Sequence, residues 1–212
     1  MEALGIVFDL DDTLYPERDY VRSCFRWVSR RLGDDSVFDE LWTRFEAGER
    51  DPVGKVSTAR GLGAEDAAAL ISGMRAHLPD ISLDPAAAAL IAQLRACSRA
   101  YSIVSNGRSK TQRQKIQALC LADATAIIIS EEFGASKPDM ALFLEVERLH
   151  PARRHLYVGD NPAVDFEGPN AIGWDTAMLI RRDGVHRPPS DLKPQQAARR
   201  SIVSLAELSA LL

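Results

Sequence analysis

The sequence predicts an α/β chain whose core is a doubly wound parallel sheet, interrupted near its start by an all-helical segment. Three observations lead there. Short apolar runs of strand length recur without polar alternation, as suits strands covered on both faces. From about residue 84 to 182 those runs alternate with helical periodicities, the pattern of a doubly wound, Rossmann-like domain. From about 17 to 80 the periodicity is helical throughout.

Taken in order, the first strand is the run LGIVF, Leu4 to Phe8. The helical segment follows. Val21, Phe25, Val28 and Leu32 fall on one stripe, Phe38, Leu41, Trp42 and Phe45 on a second, and Ala67, Leu70, Ile71, Met74 and Leu78 on a third. Turn-rich pieces at Gly33-Asp34-Asp35 and Gly48 to Gly54 separate them. These stripes must pack on one another or on the sheet domain. Asp84-Pro85 then supplies a helix N-cap and a first-turn proline, ahead of the face Leu90, Ile91, Leu94 and Cys97. Tyr101 to Val104 is the second strand, and Ile116, Leu119 and Cys120 mark the next helix. Ala126 to Ile129 is the third strand, followed by the stripe Leu142, Phe143, Val146 and Leu149. Leu156 to Val158 and Thr176 to Ile180 complete the five expected strands. Arg181 to Arg200 is expected as a loop, leading to a last helix that packs through Leu205, Leu208 and Leu212. The expected division is residues 1–15 and 82–212 for the α/β core and 16–81 for the helical insertion.

Composition narrows the partners. At 212 residues, 46% hydrophobic and 26% charged, the chain can bury a real core. A formal net charge of -4, with basic residues scattered apart from pairs such as Arg30-Arg31, Arg153-Arg154 and Arg199-Arg200, argues against nucleic acid. No apolar run approaches the ~18 residues of a bilayer span, so no membrane partner is expected. The opening MEALGIVFDLDD has no basic stretch, and carboxylates soon interrupt its apolar run, unlike a signal peptide. Cys24, Cys97 and Cys120 are odd in number and widely spaced, which suits reduced thiols and a cytoplasmic location. His77, His150, His155 and His186 are expected at the surface or in packing roles. Oligomeric state leaves no legible mark.

Ligands of an open α/β sheet bind at the carboxyl ends of its strands. There the sequence places Asp9-Leu10-Asp11-Asp12-Thr13, then Ser105-Asn106-Gly107, then Ser136-Lys137-Pro138-Asp139, then Gly159-Asp160-Asn161 with Asp165 beyond. Converging carboxylates repel one another unless a cation sits among them. Hard oxygen donors without His or Cys select Mg²⁺. A lysine can neutralise a carboxylate and then a transferring phosphoryl group, while a hydroxyl and the Asn106 and Gly107 amides donate to its oxygens. One carboxylate can attack phosphorus, and a second, two residues on, can serve as general acid and base. The chemistry indicated is phosphoryl transfer. Asp12, Asp84 and Asp139 suit turn or N-cap roles instead.

IVFDLDDTLYPE, SNG, SKPD and GDNPAVDFEG, in that order, resemble the motifs of the haloacid dehalogenase-like hydrolase superfamily, and the resemblance covers essentially the whole chain. It implies that Asp9 is the nucleophile and Asp11 the general acid/base, with the Asp11 backbone carbonyl on the metal. Thr13 would brace the first loop by hydrogen bonding. Ser105, Asn106 and Gly107 would hold the phosphoryl oxygens, and Lys137 would bridge Asp9 and the phosphate. Asp160 would ligate Mg²⁺, with Asp165 ordering the metal shell or Lys137. The helical insertion would be the superfamily's cap.

A carboxylate at Asp11 separates the chain from the dehalogenase branch, whose leaving halide needs no proton, and favours a phosphatase acting on a small phosphorylated metabolite. Phosphomutase chemistry and a catalytically idle binding or regulatory module are the alternatives. A response-regulator receiver would lack the helical insertion. Arg44, Arg50, Lys55, Arg75 and His77 are the insertion's candidates for contact with a leaving group, each more commonly a solvated helix residue, and Arg18 or Tyr20 could face the cleft.

Overall fold

The computed structural model describes residues 4–181, 184–185 and 191–211. Its centre is a six-stranded, wholly parallel sheet in the order β3-β2-β1-β4-β5-β6, built from β1 (Gly5–Phe8), β2 (Tyr101–Ser105), β3 (Ala126–Ile129), β4 (His155–Gly159), β5 (Asp175–Leu179) and β6 (Arg200–Ile202). The strands β1, β2 and β4 are buried at every residue, which is why their sequences run apolar instead of alternating. Period-two geometry sends Ile6 and Phe8 to one face, against Leu90, Ile91 and Leu94, and Val7 to the other, against Phe143 and Val146. Nine helices are described. The first four, α1 (Glu17–Leu32), α2 (Ser36–Glu46), α3 (Pro52–Ala59) and α4 (Ala64–Ala76), form the insertion. The others are α5 (Pro85–Ala96), α6 (Ser109–Ala118), α7 (Ser130–Phe133), α8 (Ala141–Leu149) and α9 (Glu167–Ala171).

The insertion has an apolar core of its own, with Phe25, Val28, Val37, Leu41, Val53, Val56 and Leu70 buried together. α1 begins with Glu17 and Asp19 in its first turn, favourable to the helix dipole. It stops at Gly33, whose left-handed backbone (φ 67°) lets Gly33 N–H and Asp34 N–H close onto the carbonyls of Arg30 and Ser29. The two ends of the insertion lie side by side, since Asp84 N–H donates to the Leu14 carbonyl at 2.9 Å and Asp80 N–H to Ser23 Oγ at 2.8 Å. The Asp84 side chain caps α5 through Ala86 N–H.

Four features differ from expectation, the first being α3, a fourth helix of the insertion that no apolar stripe announced and that starts within the expected turn at Gly48 to Gly54. The sheet has a sixth strand, β6, at the junction between the expected loop and the last helix; its three residues, two of them exposed, are too few and too polar to register as an apolar run. The short helix α7 was also not expected. The last helix is a 3₁₀ segment, Leu205–Leu211, although Leu205 and Leu208 are buried against the core as anticipated. Leu212 and His186 lie outside the described residues. His150 and His155 are packing residues: His150 Nδ1 is 2.8 Å from Ser102 Oγ, and His155 stacks on Trp174. Cys24 is buried, and Cys97 and Cys120 are exposed, all free thiols. Among the described residues no helix is long and apolar enough to cross a membrane.

Candidate active site

β1 lies between β2 and β4, so the chain reverses its direction of winding at the carboxyl end of β1. That end is where an open α/β sheet splays its loops and receives ligands. Asp9 follows β1 directly, and its N–H donates to the Val158 carbonyl at 2.8 Å. Ser105 ends β2 and Asp160 follows β4. Between them lies a cavity of about 250 Å³ lined by Asp9, Asp11, Glu17, Ser105, Asn106, Lys137, Asp160, Asn161, Val164 and Asp165. Seven of the sequence candidates therefore share one cavity. A larger concavity, about 350 Å³, lies at the opposite end of the sheet between Leu4, Arg154 and Arg199. Of the arginines that line it, Arg154 and Arg199 are already paired with Asp175.

Lys137 is the electrostatic centre. Its buried ammonium donates to Asp9 Oδ1 at 2.5 Å, Asp165 Oδ1 at 2.7 Å and Tyr157 Oη at 3.0 Å. Asp165 is further held by Tyr157 Oη at 3.1 Å and by Asn161 N–H, which reaches its Oδ2 at 2.8 Å. One lysine does not balance the acids around it. Burial pushes Asp9 up to about 7 against the pull of Lys137, with Asp165 and Asp11 adding to the rise. Burial, then Asp9 and Asp165, push Asp160 up to about 9. Asp9, Asp160 and Asp165 each offer a carboxylate oxygen, and these atoms lie within 4.8 Å of one another. An all-oxygen donor set with surplus negative charge fits a hard divalent cation such as Mg²⁺.

The side chain of Asp11 faces other company. Its Oδ1 accepts from Lys115 Nζ at 2.7 Å and from Tyr15 Oη, and its Oδ2 accepts from Gln112 Nε2 at 2.8 Å. Burial works against ionisation, but Lys115 beside it, with the Tyr15 and Gln112 hydrogen bonds, holds the carboxyl below its ordinary range. Gln112 Nε2 also donates to Ser105 Oγ at 2.6 Å. Asn106 spends both ends of its amide on the Lys137 backbone, accepting from Lys137 N–H at 2.8 Å and donating to its carbonyl at 3.2 Å. Gly107 does not line the cavity, and its N–H donates to Ser130 Oγ at 2.9 Å.

Thr13 departs from expectation. It is fully buried, and its Oγ1 has no hydrogen-bond partner among the described residues. The loop after β1 is instead braced by Leu14 N–H on the Leu10 carbonyl at 3.0 Å and by Asp12 Oδ1, which accepts from Glu17 N–H at 2.8 Å. Asp12 itself turns the chain with φ 52°, and Asp139 caps the turn into α8 through Ala141 N–H.

The insertion's candidates for contact with a leaving group do not line the cavity, in keeping with their reading as solvated helix residues. Arg18 pairs with Glu46, Arg44 with Glu40 and Glu49, and Lys55 with Glu49. Arg50 and Arg75 are exposed. His77 is stacked on Tyr20 and close to Ser23 Oγ. Glu17 alone reaches the cavity from the insertion, its carboxyl pushed up to about 8 by burial and then by Asp11. Sequence reasoning missed Glu17, Tyr157, Gln112 and Lys115. The last two carried a signal, since they are polar residues on the buried side of α6, where Ile116 and Leu119 also sit.

Comparison with known proteins places this geometry. The chain is 27% identical, over 99% of both sequences, to a ribulose-1,5-bisphosphate 5-phosphatase of Halopiger xanaduensis. It is 26% identical to a glyceraldehyde 3-phosphate phosphatase of Methanopyrus kandleri, over 84% of each. The magnesium-bound structure of YfnB from Bacillus subtilis has the same fold, with TM-score 0.70 and 23% identity over 100% of this chain and 99% of that one. The sequence profile of the haloacid dehalogenase-like hydrolases matches residues 6–179, and the chain belongs to that family.

Proposed function

We propose that this chain is a Mg²⁺-dependent phosphatase that hydrolyses a small phosphomonoester through an aspartyl-phosphate on Asp9. The observation that carries the reading is the single cavity in which Asp9, paired with Lys137, faces Ser105, Asn106 and Asp160, with Asp11 at its edge. Asp9 attacks phosphorus, and the bond from phosphorus to the leaving oxygen breaks as Asp11, in the protonated form that it takes up against the pull of Lys115, gives that oxygen its proton. Asp11 then takes a proton from water, whose oxygen attacks the phosphorus and releases Asp9. Ser105 Oγ already accepts from Gln112, so its own hydrogen serves a phosphoryl oxygen. The Asn106 side chain is committed to Lys137, so its contribution to phosphate binding comes from its main-chain N–H. Lys137 spreads its charge over Asp9 and the phosphoryl group. Asp9 and Asp160 would hold Mg²⁺, with Asp165 ordering Lys137 and the metal shell; the bound ion supplies charge neutralisation for the transferring group.

Residues 16–81 act as a cap, with Glu17 at its root beside the leaving group. A cavity of about 250 Å³ suits a compact substrate, and the curated relatives are sugar-phosphate phosphatases. A small sugar phosphate is therefore the substrate class. The test is Mg²⁺-supported phosphate release from a panel of triose to hexose phosphates, nucleotides and phosphopeptides. Highest kcat/KM on a sugar phosphate is expected; phosphopeptide turnover that rivals it would overturn the assignment.

A further inference from the structure

We infer that Lys115 is a positioning residue for Asp11, fixing its carboxylate in the orientation from which it serves the leaving oxygen. The inference rests on the reading of Asp11 as general acid and base. Lys115 lies on α6 and is 4% exposed, and a charge so buried requires a partner. Its ammonium has two: Asp11 Oδ1 at 2.7 Å, and the Tyr20 ring of α1, whose centroid lies 4.2 Å away. One turn earlier on the same helix, Gln112 holds the other oxygen, Asp11 Oδ2, at 2.8 Å, and with the same Nε2 reaches Ser105 Oγ at 2.6 Å. The two carboxylate oxygens are thus tethered separately to one rigid helix, which fixes the plane of the group as well as its direction. Turning Asp11 aside would strand the Lys115 charge in the interior, so the helix resists it. Lys115 does not line the cavity; it reaches the leaving oxygen through Asp11, and Glu17 is a second cavity carboxyl that feels its charge.

A misplaced general acid matters most when the leaving oxygen is basic. We therefore compare an alkyl ester, glycerol phosphate, with p-nitrophenyl phosphate, whose leaving group departs without help. Lys115→Met also removes the charge that keeps Asp11 ionised, which by itself would favour the acid form, so the loss expected is one of orientation: kcat on the alkyl ester falls by ~100-fold, with KM within about threefold. On the aryl ester the loss stays below about threefold. Lys115→Arg keeps the charge and restores part of the alkyl rate. A residue that merely supports folding would lower both rates alike and leave no such split. Should Lys115→Met fail to fold, Tyr15→Phe removes the second donor to Asp11 Oδ1 without touching Ser105, and is expected to give the same selectivity. Asp11→Asn separates the two levels of inference. If it loses the alkyl ester selectively while the Lys115 and Tyr15 variants slow both esters equally or neither, the positioning role is overturned and the Asp11 assignment stands. If Asp11→Asn has no selectivity, the Asp11 assignment fails and the positioning role falls with it.

Discussion

Replacing Lys137 by methionine removes the one cation among the described residues that line the cavity, and keeps most of the side chain's volume. The ammonium is bonded to Asp9 at 2.5 Å, Asp165 at 2.7 Å and Tyr157 at 3.0 Å, and all four side chains are buried. Lys137→Met strands Asp9 and Asp165 without a counter-charge. Removing one partner of a buried pair typically costs about 3–5 kcal/mol. For a chain of this size each kcal/mol moves the melting temperature by roughly 2–4 °C, so a fall of about 6–20 °C is expected in EDTA. The assay is thermal unfolding followed by circular dichroism at neutral pH. Adding Asp165→Asn removes one stranded charge and should recover part of the loss, since neighbouring residues of one network are not additive. A melting temperature within about 2 °C of wild type, or a double variant less stable than Lys137→Met alone, would refute the reasoning.

Three further outcomes follow from the same geometry. Asp9 and Asp160 are raised from 3.8 to about 7 and about 9, so the folded chain holds these protons more tightly than the unfolded chain. Their contribution to stability in EDTA therefore falls as pH rises from about 4 towards 9, and saturating Mg²⁺ should flatten that fall. Melting curves across the range test it, and stability rising with pH in EDTA would contradict it. Gly159→Ala would bring a Cβ to 2.4 Å from Asp165 Oδ2. The expected result is displacement of Asp165 from Lys137 and loss of most activity, read as kcat and as weaker Mg²⁺ dependence. Phe143, fully buried against Tyr157 and Trp174, lies in the core and not in the cavity. Phe143→Ala should cost about 3–5 kcal/mol in denaturant unfolding while leaving KM unchanged in the folded fraction.

Much of the fold is written in local pattern. The five apolar runs became strands because each is covered on both faces, and the stripes of the insertion became helices because they share an apolar core. β6 was illegible because an edge strand of three residues, Arg200–Ile202, has too little buried surface to impose a pattern. The convergence of Asp9, Asp11, Ser105, Asn106, Lys137, Asp160 and Asp165 could be anticipated because strand ends of a parallel sheet meet at one edge. What could not be anticipated is how each side chain is spent. Arg18, Arg44 and Lys55 are paired within the insertion, and the Asn106 amide is used on the Lys137 backbone. Arg44 and Lys55 find acids four to six residues away, but Arg18 and Glu46, Asn106 and Lys137, and Lys115 and Asp11 are far apart in sequence, and only the fold brings them together.

The most direct test of Asp9 as nucleophile is phosphate release by wild type and Asp9→Asn from the best sugar phosphate of the panel, with Mg²⁺ and with EDTA. Turnover in wild type that EDTA suppresses and Asp9→Asn abolishes is the expected result. Wild-type rates retained in Asp9→Asn, or unchanged in EDTA, would contradict the mechanism.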